Sequence, residues 1–301
     1  MTDPIILIAV TFRDFNGSDN DRIQRLFIDT LRRQTYSNWR LVVGLFNEKR
    51  VEEEIRKEGV PAVFHRNGPV SGYKFSLTDV LLNAVEESGA EEHSIILWTT
   101  CDVLFPPDFL ATVVRHATPG FVAVSHPHLM YASLDDLAVA RQIPASLNSG
   151  MDLVIMDGAL FRNERNLRII RDFRFRDWGI FEHFLVGFAQ VAATRRINLF
   201  GVANIGKVEN DRVVGAETQN WLLACWNTNK VVIDRFIADY RRSPELLKLI
   251  YCHMQFQHLT SRVAHYRMFA ADYAGYYADR VKRRVLRTIP AGVKRAVRRI
   301  A

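Results

Sequence analysis

The chain has 301 residues, 48% of them hydrophobic and 24% charged. That is the make-up of a folded globular protein, and it is long enough for one large domain with an appendage. The formal net charge is +7, but nine of the 40 Lys/Arg and none of the 33 Asp/Glu lie in residues 280–301, so the body is close to neutral and the basicity sits in a tail. The three cysteines, Cys101, Cys225 and Cys252, are far apart and form no CxxC pair. This argues against a disulfide framework or a zinc site and fits a reducing, cytoplasmic compartment. MTDPIILIAV starts acidic and carries only a short apolar run, a poor signal peptide. No stretch approaches the ~20 apolar residues that span a bilayer.

In chain order, Ile5 to Val10 is a continuous Ile/Val-rich run. It reads as a strand buried on both faces, as in a parallel sheet. A polar, turn-prone segment follows, Thr11-Phe12-Arg13-Asp14-Phe15-Asn16-Gly17. Ile23, Leu26, Phe27, Thr30 and Leu31 then recur at helical spacing, and Leu41-Val42-Val43 is the next strand. This is a β-α-β crossover unit. A helix over 51–57, a short strand over 61–64, a helix over 77–87 and a buried strand over 95–98 continue the alternation, which argues for an α/β domain. In open α/β sheets ligands bind beyond the carboxyl ends of the strands. Those ends are 11–14, 44–47 and 99–102.

The third end is the most informative. Asp102 follows the strand directly, and Pro106-Pro107 forces an exit from the sheet. A carboxylate there suits a divalent cation bridging a diphosphate, or a sugar hydroxyl. It equally suits the cap of the turn before a helix near Asp108.

Taken together, Val10-Thr11-Phe12-Arg13, then Gln34-Thr35-Tyr36-Ser37-Asn38-Trp39, then Thr100-Cys101-Asp102 with Phe105-Pro106, resemble a GT-A glycosyltransferase of the family 2 type. The order and spacing match over residues 4–110 and more weakly to about 215. The resemblance implies an α/β GT-A domain over 1–215, a Rossmann-like nucleotide-binding half with a mixed sheet. A helical extension over 216–279 and a basic amphipathic tail over 280–301 would follow. It implies a sugar transfer, inverting in stereochemistry, from a nucleotide-sugar to a glycan or lipid-linked acceptor of a cell-surface polysaccharide such as lipopolysaccharide, O-antigen or capsule. It gives the Gln34 to Asn38 segment a structural role, closing the first crossover helix and feeding the second strand.

The departures from the family are specific. After its second strand the family carries Asp-Asp-Gly-Ser, whose first Asp holds the base; this chain has Gly44-Leu45-Phe46-Asn47, which shifts base recognition to Asn47 or to stacking on Phe46. Thr100 replaces the first acid of the Asp-x-Asp motif, so Asp102 alone remains for a magnesium or manganese ion and metal affinity should drop. The family's later histidine ligand has no counterpart, and Lys207 nearby could replace metal charge at the diphosphate, as lysines do. Donor-side candidates are therefore Thr11, Phe12, Arg13, Asn47, Lys74, Asp102 and Lys207.

An inverting transferase needs a carboxylate to take the acceptor's proton. FRDWGIFEHFLVGFAQ has the shape of the family's base-bearing segment, with Asp177 and Glu182 as candidate bases and Trp178 and His183 beside them on the acceptor side. Asp177 could instead cap the helix that starts near Trp178. Asp157-Gly158 resembles an acceptor-side segment, or else forms a tight turn. His126, His128 and Asp152 read as structural, because no third ligand has a metal-site spacing. Tyr251, Phe256, Tyr266, Phe269, Tyr273 and Tyr276 suit packed helices. In the tail, Val281, Val285, Ile289, Val293, Val297 and Ile300 form an apolar stripe among basic residues, the pattern of an interfacial helix on anionic lipid, interrupted by Pro290 and Gly292. Nucleic acid needs no such stripe, and none is expected as a partner. Two rivals stand beside the transferase: a nucleotidyltransferase, which would carry a Gly-rich basic loop after the first strand, and a degenerate, non-catalytic membrane scaffold.

Overall fold

The computed structural model describes residues 3–68, 76–125, 129–131, 133–140, 142, 153–172, 195–198 and 205–208, with Phe181, Phe184, Leu185, Phe188 and Ala192. All belong to one compact unit, Met1–Met254. The elements run β1 (Ile5–Val10), α1 (Asp19–Arg32), β2 (Trp39–Leu45), α2 (Val51–Lys57), β3 (Ala62–Arg66), α3 (Leu77–Gly89), β4 (Ser94–Thr99), β5 (Val103–Leu104), α4 (Phe109–His116), β6 (Phe121–Ser125), β7 (Leu129–Tyr131), α5 (Leu134–Ala138), β8 (Leu153–Asp157), a 3-10 turn (Gly158–Arg162), α6 (Glu164–Asp172), β9 (Arg195–Asn198) and β10 (Gly206–Val208).

The fold is α/β with a mixed sheet, as expected for a GT-A-type chain. Seven strands are ordered β3-β2-β1-β4-β8-β6-β9, and β5-β10-β7 form a second, small sheet. The contacts among β3, β2, β1 and β4 are all parallel, whereas β8 runs antiparallel to both β4 and β6. The helices that connect the parallel strands must cross over a face, and the burial of β1 shows both faces covered. Ile5, Leu7 and Ala9 pack with Leu77, Leu81 and Ala84 of α3, while Ile6, Ile8 and Val10 pack with Phe27, Ile28 and Leu31 of α1. The period-two alternation of a strand thus feeds two separate cores. Each fully buried aliphatic contributes about 1.5–3 kcal/mol.

The first face is closed by a further helical segment. Phe181, Phe184, Leu185 and Phe188 are helical and buried. Phe181 meets Trp98 edge-on at 5.2 Å, and Phe188 stacks on Phe161 at 5.8 Å. Trp98 lies one residue before the end of β4, and Phe161 lies in the 3-10 turn at the opposite edge of the sheet. The segment therefore runs away from the carboxyl edge of β4, with residue 181 at that edge.

The Gln34 to Asn38 segment has the structural role expected of it. Gln34 Nε2 donates to Thr30 O at 3.0 Å and to Pro106 O at 2.8 Å, and its Oε1 accepts from Leu110 N at 2.9 Å. Thr35 N donates to Pro107 O at 2.8 Å. The Tyr36 hydroxyl donates to Pro4 O, and Asn38 Nδ2 donates to Asp3 O at 3.0 Å. One short stretch thus ties the C-terminus of α1 both to the start of β1 and to the Pro106-Pro107 exit after Asp102. Replacing Gln34 with Ala removes three hydrogen bonds worth about 1 kcal/mol each. Denaturant unfolding of Gln34→Ala should show a loss of about 2–3 kcal/mol, and an unchanged midpoint would mean the bracket is not holding the turn.

Candidate functional site

The carboxyl ends of β1, β2 and β4 lie side by side, since Ala9 is level with Val42 and with Trp98. At the end of β4, Asp102 is only 8% exposed. Its Oδ1 accepts from the Thr100 hydroxyl, and its Oδ2 lies 3.5 Å from the Lys207 ammonium. Lys207 is brought there by β10, in which it sits level with Val103 of β5, while Val208 N donates to the Asp102 backbone oxygen at 3.2 Å. Backbone and side chain therefore tie Asp102 to two successive residues of β10. Asp102 does not cap the helix near Asp108, because its carboxylate is spent on Thr100 and Lys207. Cys101 between them is partly buried, and burial together with the Asp102 carboxylate pushes its thiol up to about 12. At neutral pH it stays protonated and is no nucleophile.

The β1 end is held by residues that the sequence pattern concealed. Gln24 of α1, 1% exposed, accepts from Arg13 N at 2.6 Å and donates to Arg13 O at 3.2 Å. This clamp fixes the backbone and leaves the Arg13 side chain exposed. Asp21, 8% exposed, accepts from Asn16 N at 2.9 Å and from Gly17 N, where φ is +88°. The available signal was position: Gln24 stands three residues before Phe27 and four before Ile28, on the buried stripe of the helix, where a polar side chain needs a partner. The Thr11 hydroxyl donates to Gly44 O at 3.2 Å and links the ends of β1 and β2. Phe12 is core, 2% exposed and edge-on to Phe27 at 5.9 Å, so its ring is turned into the apolar interior.

Beyond β2 and β3 lies an open depression of about 410 Å³, lined by Leu45, Phe46, Asn47, Glu48, Lys49 and Arg66. Glu48 Oε2 accepts from Phe46 N at 2.7 Å and Asn47 N at 3.1 Å, so a carboxylate fixes this turn. Asn47 is exposed, and the Phe46 ring is 9% exposed and packs in the core. Stacking of a base on that ring is accordingly disfavoured. At Gly44 a Cβ would lie 2.9 Å from Val80 Cγ2 and 3.2 Å from Asn67 Nδ2, which leaves no room for a side chain. Among the described residues, Asn67 Nδ2 and Asn83 Nδ2 are buried without a hydrogen-bond partner.

Asp157 and Gly158 are not brought to this edge. Because β8 is antiparallel to β4, its end is level with the start of β4: Asp157 pairs with Ile95, whereas Thr99 pairs with Leu153. At about 3.3 Å per residue the separation along the sheet is roughly 13 Å. Asp157 Oδ1 accepts from Ala159 N at 2.9 Å and Oδ2 accepts from Gly120 N, so the carboxylate caps the 3-10 turn and pins a neighbouring loop. A Cβ on Gly158 would lie 2.1 Å from Ser94 Oγ and 3.0 Å from Ser94 O. The tight-turn alternative is thus the one the geometry carries. Lys74, His126, His128, Asp152, Asp177, Trp178, Glu182 and His183 lie outside the described residues, as do the helical extension over 216–279 and the tail.

Among the described residues, those at Asp102 make a sparse ligand set for a divalent cation. Such an ion takes several oxygen ligands at about 2.0–2.6 Å. Among the described residues one carboxylate stands here; one of its oxygens accepts from a hydroxyl, and the other faces an ammonium. Among the described residues no three His, Cys, Asp or Glu gather into a metal set.

No family model and no curated protein matches this sequence. Solved structures resemble it in general form. S. aureus TarS is 15% identical over 68% of this chain, with a TM-score of 0.46. The chain spans 37% of the length of TarS. The mannosyltransferase PcManGT from Pyrobaculum calidifontis, in complex with GDP-Man and Mn2+, is 13% identical over 91% of this chain and 80% of its own, with a TM-score of 0.45. The inositol-1-phosphate CTP transferase from T. maritima is 10% identical over 72% of this chain and 94% of its own, with a TM-score of 0.41. Nothing about the site rests on these likenesses.

The turn role of Gly158 is open to test. Gly158→Ala forces atoms against the Ser94 backbone and should lower stability by about 1–3 kcal/mol, the usual cost of overpacking. Nucleotide affinity, measured by calorimetry below the melting temperature, should not change. A selective loss of affinity or turnover at full stability would return this turn to the site.

Proposed function

We propose that this protein is a GT-A-type glycosyltransferase that moves a sugar from a nucleotide-sugar to an acceptor hydroxyl. The observation that supports it most is the Asp102–Lys207 pair at the carboxyl edge of β4, beside the clamped and exposed Arg13 of the β1 turn. This edge of a parallel α/β sheet is where ligands bind. Lys207 and Arg13 supply positive charge for a diphosphate, whose negative charge grows as it leaves the anomeric carbon. Asp102 holds Lys207 in place or meets a donor hydroxyl. Thr11 and Asn47, at the β1 and β2 ends, and Lys74 complete the donor side.

Glu182, or else Asp177, is assigned the proton of the acceptor hydroxyl as that oxygen attacks the anomeric carbon, giving inversion. Support comes from the neighbouring helical Phe181, which packs on Trp98 near the end of β4. Trp178 and His183 are placed on the acceptor side with it. The acceptor is a glycan or lipid-linked intermediate of cell-surface polysaccharide synthesis, hexosyl transfer being the expected reaction. The basic tail over 280–301 holds the enzyme on the cytoplasmic face of an anionic membrane. Among the described residues no helix is long and apolar enough to cross a membrane. A nucleotidyltransferase is disfavoured by the β1 turn, whose Phe12 is core and whose Arg13 backbone is clamped, not arranged as a glycine-rich loop.

Calorimetry with UDP, GDP, CDP and ADP tests the reading: one should bind, and binding of none would favour a non-catalytic scaffold. Glu182→Gln keeps the shape and removes the basicity. It should abolish transfer while leaving nucleotide affinity intact. If Asp177→Asn does so instead, the base is Asp177, and retained transfer in both variants would put the base elsewhere.

Deleting residues 280–301 removes nine positive charges and the Val/Ile stripe. The truncated protein should keep nucleotide binding and lose sedimentation with vesicles of anionic lipid. For the full chain that binding should weaken with salt, as the screening length falls to ~8 Å at physiological strength. Equal binding to neutral and anionic vesicles, or to neither, would contradict the membrane assignment.

A further inference from the structure

We propose that Gln24 is a positioning residue of the donor site: from inside α1 it sets the β1 turn against the end of β4, and so aims the Arg13 guanidinium at the donor diphosphate. The inference deepens the donor reading above and rests on it. The strands that carry the two turns are parallel neighbours, and their last paired residues are Ala9 and Trp98. Arg13 and Cys101 lie beyond that last rung. Gln24 bridges the two chains where the ladder has ended. Its Oε1 accepts from Arg13 N at 2.6 Å and from the Cys101 thiol at 3.6 Å, and its Nε2 donates to Arg13 O at 3.2 Å. Cys101 keeps the proton it donates, because its thiol is pushed up to about 12. Two donors face one end of the side chain and an acceptor faces the other, a set that a carboxamide satisfies and a carboxylate or a thioether does not.

The rest of the turn is held without this residue. Asp21 accepts from Asn16 N and Gly17 N, Asp14 Oδ1 accepts from Arg50 N at 2.8 Å, and the buried Phe15 ring lies under the Arg25 guanidinium at 5.1 Å. These contacts fasten residues 14–17 to α1 and to the loop before α2. Gln24 adds what they do not, a tie from the turn to the residue before Asp102. Asp102 itself is held separately, by Thr100 and by β10, so the part that Gln24 governs is Arg13. Arg13 pulls against the upward shift of the Cys101 thiol, which puts the guanidinium within electrostatic reach of the end of β4. A long charged side chain meets a phosphate productively only when its backbone starts from the right place. In such sites a displacement of about 1 Å can cost about 100-fold.

The test is a double-mutant cycle, read by calorimetric titration of the full chain with the nucleoside diphosphate that binds among UDP, GDP, CDP and ADP. Gln24→Met keeps the length of the side chain and loses its hydrogen bonds to Arg13 and Cys101. Arg13→Ala removes the guanidinium and leaves the clamped backbone N–H and C=O in place. Each alone should weaken binding by about tenfold or more, the scale of a charged hydrogen bond. The double variant should bind within about twofold of Arg13→Ala alone, because Gln24 acts through the side chain it positions. Losses that multiply would mean a structural role unconnected with Arg13 and would overturn the inference, as would undiminished binding by either single variant. Gln24→Glu keeps the acceptor oxygen for Arg13 N and Cys101 and serves the same cycle if Gln24→Met fails to fold. Its loss should be smaller and should also vanish in the Arg13→Ala background. All these reversals leave the donor reading standing. Binding of no diphosphate by the unaltered chain would remove that reading and this inference with it.

Discussion

A carboxylate held almost out of water at the end of a strand is costly unless its charge is matched. Leaving such a charge unpaired costs about 3–5 kcal/mol. Asp102 is in that position, and its match comes from Lys207 in the last strand described. This pairing ties the parallel half of the sheet, built by the first hundred residues, to the small sheet β5-β10-β7. It also concentrates charge at the one edge where β1, β2 and β4 all end. The clamp of Gln24 on the Arg13 backbone, the bracket of Gln34 on Pro106 and the link from Thr11 to Gly44 then serve one end: they fix the loops that surround that charge. The neutral interior behind them, two apolar cores separated by one sheet, supplies rigidity and no chemistry.

The central strands were legible because their burial is complete. Ile5–Val10 and Val51–Lys57 fall where the apolar run and the helical spacing put them. β3 runs on to Arg66, beyond the expected Phe64, because it is half-buried at the sheet's edge and tolerates His65 and Arg66 in its pairing with β2. The short strands β5, β7 and β10 were not legible, since two or three residues carry no period. Yet they deliver Lys207 to Asp102. The sequence put the two in one neighbourhood only through the order of a family resemblance; their contact depends on a register that no local pattern encodes.

Asp157-Gly158 shows the opposite failure. The apolar run Leu153–Met156 lies in a buried strand, and a buried strand looks the same in either direction. Its antiparallel course puts the strand's end at the start of β4 and turns an attractive Asp-Gly pair into a cap. The burial of the Phe12 ring was not legible for a related reason. A residue next to a strand's end has one of two faces to occupy, and the aromatic ring took the core against Phe27. Gln24 went unnoticed because a lone polar residue on an apolar stripe resembles an irregularity in the pattern, whereas it is the group that satisfies a loop's backbone.

The central claim is that the edge formed by β1, β2 and β4 is a donor site organised by Asp102 and Lys207. A crystal structure of the full chain with a bound nucleoside diphosphate tests it most directly. The account predicts phosphate oxygens within hydrogen-bond distance of Lys207 Nζ, the Arg13 side chain turned toward them, and the base over the depression beyond β2 and β3. A nucleotide seated at another edge of the sheet, or one whose phosphates point away from Lys207, would contradict it.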